Sequence, residues 1–180
     1  MDAGKYFICD PCYLFHSQNE GGVGWIEFLE MFSYFDRSDR AASAGVYNFL
    51  SGVREYQFAV SNTAHGDGGY NSNFPTAQFG VDAGVIGAIP VEMFSAVISP
   101  GKDPDEYASS EGLYIHDFTN RWEFEPCDSD GDITFYTRET NYVIVTDDYI
   151  KLQQEIEERE AEEERLQEEQ EYEEMEMRDA

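Results

Sequence analysis

Basic residues are scarce in this chain. Lys and Arg number 11 against 38 Asp and Glu, a formal net charge of −27 over 180 residues. Nucleic acid is gripped through its phosphates by Lys and Arg, so direct nucleic-acid binding is not expected. An anionic membrane surface repels such a chain, and no apolar run approaches the length of a membrane span. The start, "MDAGKYFICD", lacks the basic and apolar segments of a secretory signal, so the sequence reads as cytoplasmic. Cysteine is also sparse. Cys9, Cys12 and Cys127 make an odd count, which argues against a secreted disulfide framework.

The acidity is not confined to one end. Residues 151–180 carry 14 acids and 4 bases, a net of −10, and residues 1–150 carry 24 acids and 7 bases, a net of −17. Such a surface attracts basic proteins at long range. Solubility, or adaptation to a salty interior, is the plainer explanation of the same charge.

What is plentiful is core material: 13 Phe and 12 Tyr. The length fits one domain over 1–147, followed by an acidic segment, 148–180. Residues 5–15 read as a strand broken at Asp10-Pro11, because proline lacks a ladder donor. Trp25 to Phe35 leaves a polar residue at every third position, which predicts a helix with a wide, mostly buried apolar face. "DRSDRAASAG" reads as a loop or a second short helix.

Gly52–Asn62 alternates, with Tyr56, Phe58 and Val60 on one face of a strand. Gln78–Ile89 reads as one buried strand broken by glycines, and Pro90 opens a short helix, "VEMFSAVI". "SPGKDPDEYASSEG" reads as a loop. Gly112–Phe118 is a strand, Arg121–Pro126 and Ile133–Arg138 form a hairpin, and Asn141–Thr146 is the last strand. The expectation is an α+β fold with a mainly antiparallel β-sheet of about six strands, two or three short helices and a C-terminal acidic helix.

That last segment has no Gly or Pro and favourable Glu155–Arg159 and Glu174–Arg178 spacings. A coiled-coil seam from Leu152 would place Arg159, Glu163, Gln170 and Glu173 at core positions, so the seam is poor. A solvated helix, a weak homo-oligomer arm, or a docking segment for a basic partner all fit it.

Three segments hold residues capable of chemistry. In Cys9-Asp10-Pro11-Cys12, two thiolates at this spacing can grip zinc, but a structural site wants four ligands. The other soft donors are Cys127, His16, His65 and His116, so a Cys3His site would have to be assembled from afar. A thioredoxin-type pair should open a helix, whereas "YLF" favours a strand. Ordinary buried cysteines are the third reading, and no metal and no cofactor is the expectation taken forward.

In "HGDGGY", His65 is a candidate base and Asp67 a candidate carboxylate. Asp82, in "GVDAG", sits inside an apolar stretch and must be hydrogen-bonded or raised in pKa. Asp128, Asp130 and Asp132, with Glu139 at position twelve, look like the start of a calcium loop, but position six is Ile133 where that loop wants Gly, and the segment reads as a hairpin turn around Asp130-Gly131.

Together, "CDPCY", "HGDGGY" and "GVDAGVIGAIP" resemble a family of short, uncharacterised phage and bacterial proteins over residues 6–95. The resemblance rests on Asp10, Pro11, Cys12 and Tyr13; on Gly66, Asp67, Gly68 and Tyr70; and on Gly80, Val81, Asp82, Gly84 and Gly87. The chain departs from the pattern with Cys9 where the family has Gly, and with Ala83 where it has Ser. The first departure weakens the zinc reading, and the second removes a hydroxyl that serine-dependent chemistry would need. The resemblance implies a phage-type context, hence host cytoplasm, and no particular reaction.

Two functions follow. The first is a non-enzymatic acidic protein that binds a basic partner, as an inhibitor or nucleic-acid mimic. The second is a small enzyme or ligand-binding protein, with Asp10, Cys12, His65, Asp67 and Asp82 as catalytic candidates and Tyr13, Gly66, Gly68 and Tyr70 as ligand-binding candidates. A virion or assembly component is a third, weaker reading.

Overall fold

A computed structural model describes residues 1–15, 22–31, 44–76, 78–127, 131–146 and 165. Chain contacts divide the protein into two units, Met1–Asp147 and Asp148–Ala180. The C-terminal helix, the end of the Trp25–Phe35 helix, the loop after it, His16, Asp128 and Asp130 lie outside the described residues.

The fold is α+β and its strand pairs are antiparallel, but it has ten strands rather than six among the described residues, in two five-stranded sheets. The first sheet runs β2 (Gly45–Ser51), β3 (Arg54–Asn62), β6 (Val85–Pro90), β1 (Gly4–Cys9), β7 (Tyr114–Phe118). The second runs β5 (Gln78–Val81), β4 (Gly68–Ser72), β10 (Asn141–Val145), β9 (Asp132–Tyr136), β8 (Glu123–Glu125).

Strand alternation sorts the apolar side chains into two cores. Phe7, Cys9, Tyr56, Phe58, Val60, Val85 and Ile89 face the helices, in one cluster with Leu14, Phe28 and Phe94. Tyr6, Ile8, Ala59, Ile86 and Ala88 face the second sheet and meet Tyr70, Phe79, Ile133, Phe135 and Ile144. The first sheet is therefore the middle layer, buried on both faces. That explains why β1 and β6 read as continuous apolar runs.

Several expectations are corrected. Only the first half of residues 5–15 is a strand. Cys12–Phe15 is a helical turn, α1, because the Asp10 side chain caps it by accepting from Cys12 N at 2.9 Å. The next helix, α2, spans Trp25–Met31 and buries Phe28 and Leu29, but Ile26 is 58% exposed, so the apolar face is narrower than the pattern implied.

Gln78–Ile89 is not one strand but two, β5 and β6, which belong to different sheets; the chain crosses between the layers at Asp82-Ala83-Gly84. Pro90 does open a helix. It begins as α3, Val91–Met93, and continues as a π-turn over Phe94–Ile98.

The supposed loop around "DPDEYASSEG" contains α4, Pro104–Glu111. Its signals are a side-chain cap from Asp103 to Glu106 N at 2.9 Å, proline in the first turn, and Gly112 closing it at φ +67°. Among the described residues no helix is long and apolar enough to cross a membrane.

Candidate functional site

The three motif segments meet: the second packs on and pairs with the third, and the residue that joins the first to the third is Asp10. It is fully buried at the end of β1. One carboxylate oxygen caps α1 through Cys12 N. The other accepts from two backbone N–H groups of the third motif, Asp82 N at 2.8 Å and Ala83 N at 2.6 Å. Burial raises the Asp10 carboxyl above its ordinary range, while the N–H groups of Ala83, Cys12 and Asp82 draw it back down. With both oxygens occupied, Asp10 holds the sheet crossover between β5 and β6 and is not placed to exchange a proton with a substrate.

The glycines that frame these motifs are points of close approach. Gly87 pairs with Cys9 across β6 and β1, and a Cβ there would lie 2.8 Å from Pro11 Cγ and 3.2 Å from the Ala59 carbonyl. Gly84, at φ +68°, packs on Gly66, where an added Cβ would come within 3.0 Å of the Gly66 Cα. Thr63 fastens the same corner. Its hydroxyl donates to the Gly66 carbonyl at 2.7 Å and accepts from Gly66 N at 2.9 Å, and its own N–H donates to Gly84 O at 3.0 Å.

Tyr70 is buried between the sheets and donates its hydroxyl to Gly66 O at 2.8 Å, which places it as core rather than as an exposed ligand contact. Gly68 pairs with Val81 at the start of the β4–β5 ladder. "HGDGGY" and "GVDAG" are thus paired strands and their turns.

Around this knot lies a cluster of acids. Asp82 is exposed and hydrogen-bonds the Tyr13 hydroxyl; burial first, then that bond, pushes the Tyr13 phenol well above its ordinary range. The Cys12 thiol is pushed up as well, first by burial, then by Asp10, with Asp82 and Asp67 adding through space. Cys9 is buried and raised for the same leading reason. Asp67 and His65 are exposed in the connection from β3 to β4. Asp10, Cys12, Tyr13 and Asp82 are therefore adjacent, and Asp67 is near enough to act on Cys12.

Neither thiol has the electropositive surroundings that make a thiolate. A redox or nucleophilic reading of Cys9-x-x-Cys12 is not favoured, even though a helical turn does follow it. Cys9 faces the helical core, while Cys127 packs on the core between the sheets, so the two sit on opposite faces of the first sheet. Among the described residues no group of three or more His, Cys, Asp or Glu side chains is placed to hold a metal ion.

Beside the knot is a cleft of about 230 Å³, lined among others by Tyr13, Gly80, Gln78, Glu111 and Tyr114. Two features of the corner escaped the sequence reading. Thr63 had a local signal, a threonine at the head of a glycine-containing turn, where a hydroxyl can bond the backbone a few residues on. Thr146 had none. Its hydroxyl accepts from Ala64 N at 3.0 Å, 82 residues away, and so ties the end of β10 to the second motif.

Comparison with protein-family models, with curated proteins and with solved structures finds no match to this chain.

Proposed function

We propose that the protein is a small acidic accessory protein of the phage type that works in the cytoplasm by binding a basic protein partner, as an inhibitor or a mimic of nucleic-acid charge. The observation that carries this reading is the charge of the body: 24 acids against 7 bases in residues 1–150, outside the acidic C-terminal segment. Exposed carboxylates on separate elements support it, among them Glu55, Asp82, Asp105, Asp117 and Glu123. The chemistry around Asp10 supports binding over catalysis, because its oxygens are used in backbone hydrogen bonds and the neighbouring Cys12 thiol is held protonated.

The test is capture of a partner from a host-like cytosol, followed by measurement of the purified pair at rising ionic strength. Affinity should fall steeply between roughly 0.05 and 0.5 M salt, since screening shortens the reach of surface charge. Salt-independent binding, or no partner at all, counts against the proposal.

A second reading, a ligand-binding protein built on the three motif loops, is supported by the adjacency of Tyr13 and Asp82 next to the 230 Å³ cleft. Native mass spectrometry separates the two. Extra mass from a bound small molecule, lost on Asp67→Ala or Asp82→Ala, would favour the pocket.

A further inference from the structure

The first sheet ends on one side at β2, and among the described residues no strand pairs with its outer edge. The turn Gly52-Val53 joins Ser51 to Arg54, so these two close the hairpin as a hydrogen-bonded pair. Antiparallel alternation then turns the N–H and C=O groups of Gly45, Tyr47 and Phe49 toward β3. Those of Val46, Asn48 and Leu50 point away from the sheet. The Tyr47 and Phe49 side chains pack on the helical core. Val46 and Leu50 take the opposite face of the strand, and Leu50 is 67% exposed.

Open edges are ordinarily guarded by charge, proline, a bulge or shortness. The other three terminal strands follow that rule. β7 carries Asp117, β8 carries Glu123 and Glu125, and β5 is four residues long. β2 does not. It has seven residues, GVYNFLS, with no charge and no proline, in unbroken register with β3. Within a chain of net charge −27, residues 44–53 are uncharged throughout.

We propose that this edge binds a second copy of the chain, β2 pairing antiparallel with its counterpart about a two-fold axis at Asn48. In that register Asn48 lies opposite the partner's Asn48, and Val46 opposite the partner's Leu50. All three outward-pointing residues then exchange both backbone bonds, and the Val–Leu pairs lie on one face. An axis at Val46 or at Leu50 would shorten the overlap. A basic protein would find no carboxylate on this strand. A second copy brings by symmetry an uncharged strand of the same length and alternation. Seven residues of strand span roughly 24 Å, a contact smaller than the roughly 1,200 Å² of stable complexes, so the dimer is weak and reversible.

The inference is independent of the basic-partner reading, and salt separates the two. Screening relieves the repulsion between two chains of −27, so the dimer should tighten where binding to a basic protein weakens.

The test is sedimentation equilibrium and NMR of the full chain from roughly 0.02 to 2 mM, at low and at roughly 0.5 M salt. The mass should rise toward that of a dimer, more so in high salt. The amide signals of Val46, Asn48 and Leu50 should shift with concentration, and those of β7 and β8 should not. Asn48→Pro deletes the central outward N–H without touching the bonds to β3, and should weaken the dimer roughly tenfold through the two bonds lost. Leu50→Lys should weaken it as well, although the added positive charge lowers the overall repulsion. Ser109→Lys, the same charge on α4, should dimerise as the parent does. Unchanged amide signals in β3 and β6 show that the variants are folded.

The proposal is overturned by a monomer mass at every concentration and salt, or by a dimer that both β2 variants leave undiminished. It is also overturned if an alternating Thr-Val heptapeptide shifts the β2 amides while the protein stays monomeric, which would assign the edge to a foreign strand.

Discussion

Asp10 Oδ2 accepts a hydrogen bond from the backbone nitrogen of Asp82, 72 residues further along the chain, at 2.8 Å. This one bond, with its companion at Ala83, joins the first motif to the third and fixes the point where the chain leaves one sheet for the other. Removing the carboxylate leaves three N–H groups without their acceptor. Asp10→Ala should cost about 3 kcal/mol or more in urea unfolding, and Asp10→Asn less, because a carboxamide oxygen still accepts. A loss below about 0.5 kcal/mol for Asp10→Ala would refute the structural role.

The glycines divide into those that need the missing side chain and those that do not. Gly87→Ala drives a methyl against Pro11 and the Ala59 carbonyl, and Gly84→Ala adds a left-handed backbone to a 3.0 Å contact. Each should lower stability by roughly 1–3 kcal/mol. At Gly69, an added Cβ meets nothing within 4 Å, so Gly69→Ala should be neutral or mildly stabilising. Denaturant midpoints of the three variants, compared side by side, check this order.

The thiols should differ in reactivity. Cys9 and Cys12 are each 4% exposed, and burial raises both pKa values; Cys127 is half-buried. Iodoacetamide at pH 8 followed by peptide mass mapping should label Cys127 first, with Cys9 and Cys12 labelled only after unfolding. Rapid native labelling of Cys12 would reopen the nucleophile reading.

His116 predicts an acid-side loss of stability. Its folded pKa lies below the ordinary 6.5 because of burial. The unfolded chain therefore takes up a proton before the folded one does. The contribution of this group is fully present above about pH 6.5 and is lost as pH falls through the folded pKa. Stability against pH for the parent and for His116→Gln should converge in slope above pH 7 and diverge below 6.5. An imidazole titrating above 6.5 by NMR would reverse the sign and reject the assignment.

The helix α4 shows what a local reading can miss. Asp103 as cap, Pro104 in the first turn and Gly112 beyond the last are all present in the sequence, yet the surrounding Ser, Pro, Gly and Asp residues read as loop. The short turn α1 is different. "CYLF" has no helical period of its own and depends on the Asp10 cap. The strands β4 and β5 were hidden in segments taken for a turn and for part of a longer strand.

For the candidate site, the three motifs were visible as residues of unusual type, and their adjacency was an open question. Cys12, Tyr13 and Asp82 do come together around Asp10, but in a pattern of acceptors and backbone donors that consumes the carboxylate.

By itself the sequence determined the charge, the α+β class, and the alternation that sends Tyr56, Phe58 and Val60 to one face. These depend on residue type and on spacings of a few residues, where a strand's period of two acts directly. Only the tertiary structure decided that Val81 and Val85 belong to different sheets, that Asp10 answers Asp82 and Ala83, and that His116 and Tyr142 wall one cleft. Those relationships join residues far apart in the chain. They exist only once two sheets are packed and the entropy of closing the intervening loops has been overcome.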